Sequence, residues 1–263
     1  MTDSILLIEK RDSGIAILTT NDDPLNRMSL EYVAALEDAV EDIEADDSIR
    51  ALVITAKGDT NFSVGMNLKQ LGPGIEAAGS IDAFFDRRLA LIARIEAMGK
   101  PSVATLFGYC LGGGLELPLG CTFRLAADQG AQIGLPEMDL GSVPAWGGSA
   151  RLAKCVGRNH ALDMILRGRK IDGEEALKIG LVSAIWPVEQ LKDKAIALAE
   201  ELAAQPRLAV KAVLDSLHDC EHKTLEELLL SEREGVHATM GTADATEGIM
   251  AFLEKRPPVF NKS

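Results

Sequence analysis

At 263 residues, 47% of them hydrophobic, the chain is long enough for one large domain with a packed core. A formal net charge of −13 argues against a general binder of nucleic acid or of anionic membranes, since either needs a basic field. It leaves room for an anionic ligand held by a few local cations and backbone N–H groups.

Ser4–Lys10 and Gly14–Thr20 flank a turn at Arg11-Asp-Ser-Gly14 and read as a hairpin. Ser29 is a natural N-cap, and the apolar period from Leu30 carries a helix to about Ala45. Ala51–Ala56 reads as a short buried strand, Gly72–Gly79 as a flexible loop and Ile81–Met98 as an amphipathic helix. Strands follow at Ser102–Phe107, Thr122–Ala127, Ala131–Leu135 and Leu181–Trp186. Beyond Pro187 helix formers dominate, with helices expected over Glu189–Ala204, Arg207–Asp219, Leu225–Met240 and Ala243–Leu253. Strands alternating with helices predict an α/β core over residues 1–190 holding the active site. Residues 191–263 form a thin helical region that must lie on that core or on another subunit. No fixed-period sequence repeat is visible.

The four cysteines are widely spaced, without a C-x-x-C pair, and read as buried thiols in a reducing compartment rather than a disulfide or metal framework. His218 and His222 share a helical face, but with no third ligand nearby they read as surface histidines. No apolar run nears the ~20 residues of a membrane span. The opening Met1-Thr-Asp-Ser lacks the basic-then-apolar order of a signal peptide, so a cytoplasmic location is expected.

The segment Cys110-Leu-Gly-Gly-Gly-Leu-Glu116 carries the chemistry. Its glycines free backbone N–H groups at a helix start, and its spacing matches neither a phosphate loop nor a dinucleotide fingerprint. A second such turn lies upstream in Asn61-Phe-Ser-Val-Gly-Met-Asn-Leu-Lys69. Two converging turns would supply the two donors of an oxyanion hole. Glu116 falls one turn after the donors among Leu115, Leu117 and Leu119, so burial should raise its pKa. A second carboxyl, Glu137, lies in Gly134-Leu-Pro-Glu-Met-Asp-Leu-Gly141, where Asp139 competes with it. Two donors and two carboxyls are what enolate chemistry on an acyl group requires.

On these residues the chain resembles the crotonase superfamily, and most closely its enoyl-CoA hydratases. The likeness runs from Leu25-Asn26 through Asn61–Lys69, Gly108–Glu116, Pro136-Glu137, Gly147-Gly148 and Gly168-Arg169 to Glu247–Arg256. It implies a ββα spiral core followed by helices that mediate trimer formation, with hexamers as dimers of trimers. It also implies reversible hydration of a 2-enoyl-CoA in fatty-acid-type metabolism, with no cofactor beyond the coenzyme A of the substrate; the acidic charge and the lack of a long apolar run lead to the expectation of no nucleic-acid or membrane partner. Carried over by position, the resemblance implies oxyanion donors at Met66 and Gly113 and catalytic carboxyls at Glu116 and Glu137. It implies substrate and CoA contacts at Asn67, Leu68 and Lys69, and at Phe252 and Lys255, which in relatives approach CoA on a neighbouring subunit. The chain departs from the family pattern at Asn67, where aspartate is usual, at Ala145 and Trp146 in the Pro144–Gly148 loop, and at Pro118 inside the Glu116 helix. Isomerases, lyases and thioesterases share the scaffold, as do RNA-binding homologues. The acidic charge argues against RNA, and the pair of glutamates favours a hydratase.

Overall fold

The computed structural model describes residues 4–218 and 220–262. Strands β1 (Leu6–Arg11) and β2 (Ile15–Thr20) form the expected hairpin, with Leu6 opposite Thr20 and Arg11 opposite Ile15. Helix α1 (Leu30–Ala45) starts where expected, because Ser29 accepts a hydrogen bond from the Tyr32 N–H. Its buried face of Tyr32, Val33, Leu36, Val40 and Ile43 keeps the helical period. Next come β3 (Ala51–Ala56), α2 (Leu71–Ala78) and α3 (Ile81–Ala97). They lead to β4 (Ser102–Leu106), β5 (Tyr109–Leu111), α4 (Gly113–Leu119), β6 (Phe123–Ala127) and β7 (Gln132–Gly134). Helices α5 (Gly148–Val156), α6 (Arg158–Leu166) and α7 (Gly173–Lys178) precede β8 (Ala184–Trp186). Four helices close the chain: α8 (Val188–Ala203), α9 (Arg207–Leu217), α10 (Leu225–Thr239) and α11 (Ala243–Glu254).

The main sheet runs β1-β2-β3-β4-β6-β8, parallel from β2 onward. Its β2, β3 and β4 are buried along their whole length, which is why apolar residues, broken only by Ser and Thr, occupy both faces and do not alternate with charged ones. A second, smaller ladder pairs β5 with β7 and is extended by bridges between Met28 and Met66, Ser63 and Cys110, and Ile133 and Ile171. Successive passes of the chain therefore visit the large sheet and then the small ladder, a repeat held in backbone pairing that leaves no period in the side chains. Helix α8 lies across β2, β3, β4, β6 and β8, burying Leu191, Ala195, Ile196, Ala199 and Ala203.

Four expectations are corrected. Gly72–Gly79 is not a loop: residues 72–78 belong to α2 and Gly79 caps it. Pro73 falls in its first turn, where the missing N–H has no intrahelical partner to lose, and Gly74 lets the Phe84 ring pack against the backbone. The helix α9 ends at Leu217, so His218 and His222, the latter in a separate 3-10 turn, do not share a helix; Asp219, the expected last residue, lies outside the described residues. Cys110 and Cys121 are buried thiols, but Cys155 and Cys220 are partly exposed. Finally, α5, α6, α7 and the short β5 were not anticipated. No helix among the described residues is long and apolar enough to cross a membrane.

Helices α9 and α10 pack mainly on each other and bury no residue fully, while α11 buries only Ala251. They leave Leu217, Leu225, Met240, Ile249, Phe252 and Leu253 exposed.

Candidate active site

The site forms where the two glycine turns meet. Asn26 holds the upstream strap, its Nδ2 donating to the carbonyls of Lys57 and Asn61 at 3.1 and 2.7 Å. Asn61 ties the strap to its neighbours, donating to Pro24 O at 2.8 Å and accepting from the Tyr109 N–H at 2.9 Å. The strap then runs beside β5, the Ser63 N–H donating to Tyr109 O and the Leu111 N–H to Ser63 O. At Gly65 the backbone turns at φ +92°, and a Cβ there would come within 2.6 Å of Leu111 O. Only glycine allows the strap and β5 to approach this closely.

The second turn spends its three glycines on three different walls. Gly112 has φ +54°, and a Cβ would lie 2.9 Å from Glu137 Oε1. A Cβ on Gly113 would overlap the Trp146 ring, and one on Gly114 would overlap Ser63. The Asn67 N–H is used by Met28 O at 3.2 Å. Among the described residues, no backbone acceptor takes the N–H of Met66 or of Gly113, and both residues line one cavity of about 420 Å³.

Glu116 faces the same cavity from the first turn of α4 and is only 3% exposed. Its Oε1 accepts from the N–H groups of Trp146 at 2.8 Å and Gly148 at 3.0 Å. Burial pushes the carboxyl up to about 7; the Trp146 N–H opposes that rise and the charge of Glu137 adds to it. Pro118 sits one residue before the end of α4, where Gly120 caps the Leu117 and Pro118 carbonyls, so the short helix ends before a kink can develop. Glu137 opens a 3-10 turn after β7 and lines the cavity opposite. Its Oε2 is buried without a hydrogen-bond partner among the described residues, and burial raises its pKa as well. Asp139 is exposed and turns toward Gly168, away from the cavity, which removes it as a competitor.

Of the remaining expected site residues, Leu68 lines the cavity mouth, whereas Asn67 and Lys69 do not line it, and Lys69 is exposed. Phe252, 81% exposed, and Lys255, just past α11, lie outside the cavity of their own chain. Sequence reasoning missed the donors that hold Glu116. Their only signal is the Gly147-Gly148 pair, since a Cβ on Gly148 would sit 2.7 Å from Glu116 Oε1. Leu71 was missed as cavity lining, whereas Phe85 and the Ala145 and Trp146 that depart from the family pattern also line it.

Residues 10–263 match the family described as enoyl-CoA hydratase/isomerase. The chain belongs to that family. It is 34% identical over 261 residues to a probable enoyl-CoA hydratase of Mycobacterium bovis, covering 99% of both chains. It is 36% identical over 257 residues to the 2,3-dehydroadipyl-CoA hydratase of Escherichia coli, covering 97% of this chain and 98% of that one. Among solved structures, an enoyl-CoA hydratase of Geobacillus kaustophilus matches with a TM-score of 0.92 at 29% identity, over 100% of this chain and 98% of the other. DspI of Pseudomonas aeruginosa matches with a TM-score of 0.90 at 32% identity, over 98% and 97%. The crotonase-type α/β architecture expected from the sequence is the fold of this family member.

Proposed function

We propose that the protein is an enoyl-CoA hydratase that adds water reversibly across a 2-enoyl-CoA to give a 3-hydroxyacyl-CoA. One observation carries this reading: two desolvated carboxyls, Glu116 and Glu137, face one cavity lined also by Met66 and Gly113, whose N–H groups no backbone acceptor among the described residues takes. Membership of the family and relatives named as hydratases support it.

In this reading the thioester oxygen accepts from the Met66 and Gly113 N–H groups. One carboxylate takes a proton from water as the water oxygen bonds to Cβ. The electron pair of the double bond moves onto the thioester oxygen, where the two donors hold the negative charge. The other carboxyl then delivers a proton to Cα, the enolate collapses, and water has been added in full. Each donor of this kind is worth about 10²–10³ in rate. Burial raises both carboxyls and the charge of Glu137 raises Glu116 further, to about 7, which favours a state with one glutamate charged beside a neutral neighbour.

The CoA portion would leave by the Leu68 mouth past Asn67 and Lys69. Phe252 and Lys255 would reach the CoA of an adjoining protomer in a trimer or dimer of trimers, an assembly that also covers the exposed faces of α9 to α11. The chain would act in the cytoplasm, and would need no cofactor beyond the CoA carried by its substrate. The test is the loss of enoyl absorbance with crotonyl-CoA and the isomerisation of a 3-enoyl-CoA, measured side by side. Hydration dominates if the reading holds, and Glu116→Gln and Glu137→Gln each lose about 10²–10⁴-fold. Isomerisation without hydration, or near-normal turnover in either variant, refutes it.

A further inference from the structure

The cavity is lined by the exposed Leu68 and Leu140 and, among its buried residues, by Trp146 beside Glu116 and Gly113. The indole packs against Gly113 on the cavity side. On its other side lies Arg88, 2% exposed, with Cζ 5.3 Å from the indole centroid and 3.6 Å from that of Phe84. No carboxylate pairs with this guanidinium among the described residues: its Nη1 donates to Phe84 O at 2.8 Å, and its Nε has no partner. Burial depresses its pKa to about 10, still charged at neutral pH. A buried cation without a counter-ion is costly unless its surroundings compensate, and here the compensation comes from two aromatic faces.

The space behind the indole is almost nil. A void of about 10 Å³ lies between Trp146, Arg88, Tyr32, Leu36, Leu91 and Leu117, room for about one water at most. Trp146 is thus a thin partition with packed core behind it. The Phe84 ring that clamps Arg88 is itself seated on Gly74 of α2, the helix whose Leu71 lines the cavity. The Trp146 carbonyl is fixed too, accepting from Arg151, which pairs with Glu96 at 2.8 Å.

We propose that Trp146, held in place by the Arg88–Phe84 stack, sets the acyl-chain limit and restricts the enzyme to short-chain 2-enoyl thioesters. This rests on the hydratase reading and adds the substrate class. The partition has a second duty, because the Trp146 N–H also holds Glu116 Oε1. A tail that presses on the indole therefore disturbs a catalytic carboxyl. Oversized substrates should lose kcat as well as affinity, whereas a merely tight pocket would raise KM alone.

The test is a kinetic series of crotonyl-, hexenoyl-, octenoyl-, decenoyl- and dodecenoyl-CoA on the full-length protein, with calorimetric binding of the matching saturated acyl-CoAs. Each methylene that finds room is worth about fourfold. The unmodified enzyme should lose about tenfold or more in kcat/KM between crotonyl- and decenoyl-CoA. Trp146→Ala should raise the decenoyl-to-crotonyl ratio by about tenfold or more. Arg88→Met, which frees the indole without removing it, should raise it less and mainly through kcat. If Trp146→Ala does not fold, Trp146→Phe carries the test with a smaller rise. Equal efficiency of the unmodified enzyme on crotonyl- and dodecenoyl-CoA, or an unchanged ratio in the folded Trp146 variant, overturns the proposal. If no substrate in the series turns over, the hydratase reading falls, and the chain-length dependence of binding still decides whether Trp146 is the limit.

Discussion

Gly148→Ala is a small change aimed at one hydrogen bond. Gly148 needs space rather than an unusual φ: the new methyl would lie 2.7 Å from Glu116 Oε1, 2.9 Å from its Cγ and 3.1 Å from Leu135 Cδ1. With packed core on one side, the carboxyl must retreat from the Gly148 N–H that now holds it at 3.0 Å. A hydrogen bond to a charged group contributes about 1.5–3 kcal/mol, and one pKa unit corresponds to 1.36 kcal/mol. Loss of that bond should therefore move the Glu116-dependent step of the pair from about 7 to about 8 or 9. The assay is kcat/KM against pH, which reads the free enzyme. If Glu116 works as the carboxylate, the acid limb moves alkaline and activity at pH ~6 falls by about 10–100-fold, recovering as the pH rises. If Glu116 works as the acid, the alkaline limb extends instead. Either displacement also assigns its role. Unmoved limbs in a variant with normal circular dichroism would refute the claim that the Gly148 N–H tunes Glu116.

Three further outcomes follow from the same geometry. Burial raises Glu116 from an ordinary 4.5 to about 7 in the folded protein, so the protonated form is favoured on folding; the associated stability is complete below about 4.5 and lost as the pH climbs through 7, amounting to about 3 kcal/mol. Glu116→Gln should accordingly gain stability relative to the unmodified chain between pH ~5 and ~8 in urea titrations, and a constant difference between the two proteins would contradict this. Met66→Pro, which removes the N–H, should cost about 10²–10³-fold in turnover while Met66→Leu stays within a few-fold; equal losses in two folded variants would mean that the side chain is what matters. Phe252→Asp should shift the assembly toward smaller species in light scattering, and a monomeric unmodified chain at micromolar concentration would rule out the proposed trimer.

The sequence exposed those features in which one residue type has one physical use. Ser29 caps α1, runs of apolar residues broken only by Ser and Thr mark the buried strands, and Glu116 among leucines announces a desolvated carboxyl. Its limits are equally physical. Gly72, Pro73, Gly74 and Gly79 suggested a loop because propensity counts glycines as breakers, but Gly74 is small in order to seat Phe84, and Gly79 ends the helix at φ +81°. The short helices α5 to α7 are bounded by glycines and carry too few turns for their apolar period to register. Arg88 lies on the same stripe of α3 as Phe84, Leu91, Ile92 and Ile95. An arginine in such a stripe is the signal that was passed over. The bonds from Trp146 and Gly148 to Glu116 join residues about thirty positions apart, and no local pattern encodes them.

The close seating of the Gly65 turn on Leu111, beside Gly113, also bears on how such a chain can change. The amides that it brings together are main-chain groups, which a substitution of the Met66 side chain by any residue but proline leaves in place. The glutamates are side chains, each erased by a single substitution. The two amides therefore depend on the glycines around them, Gly65, Gly113 and Gly114, more than on the side chains that they carry. Change at the two carboxyls needs one substitution each, whereas change at the amides runs through the packing of those glycines.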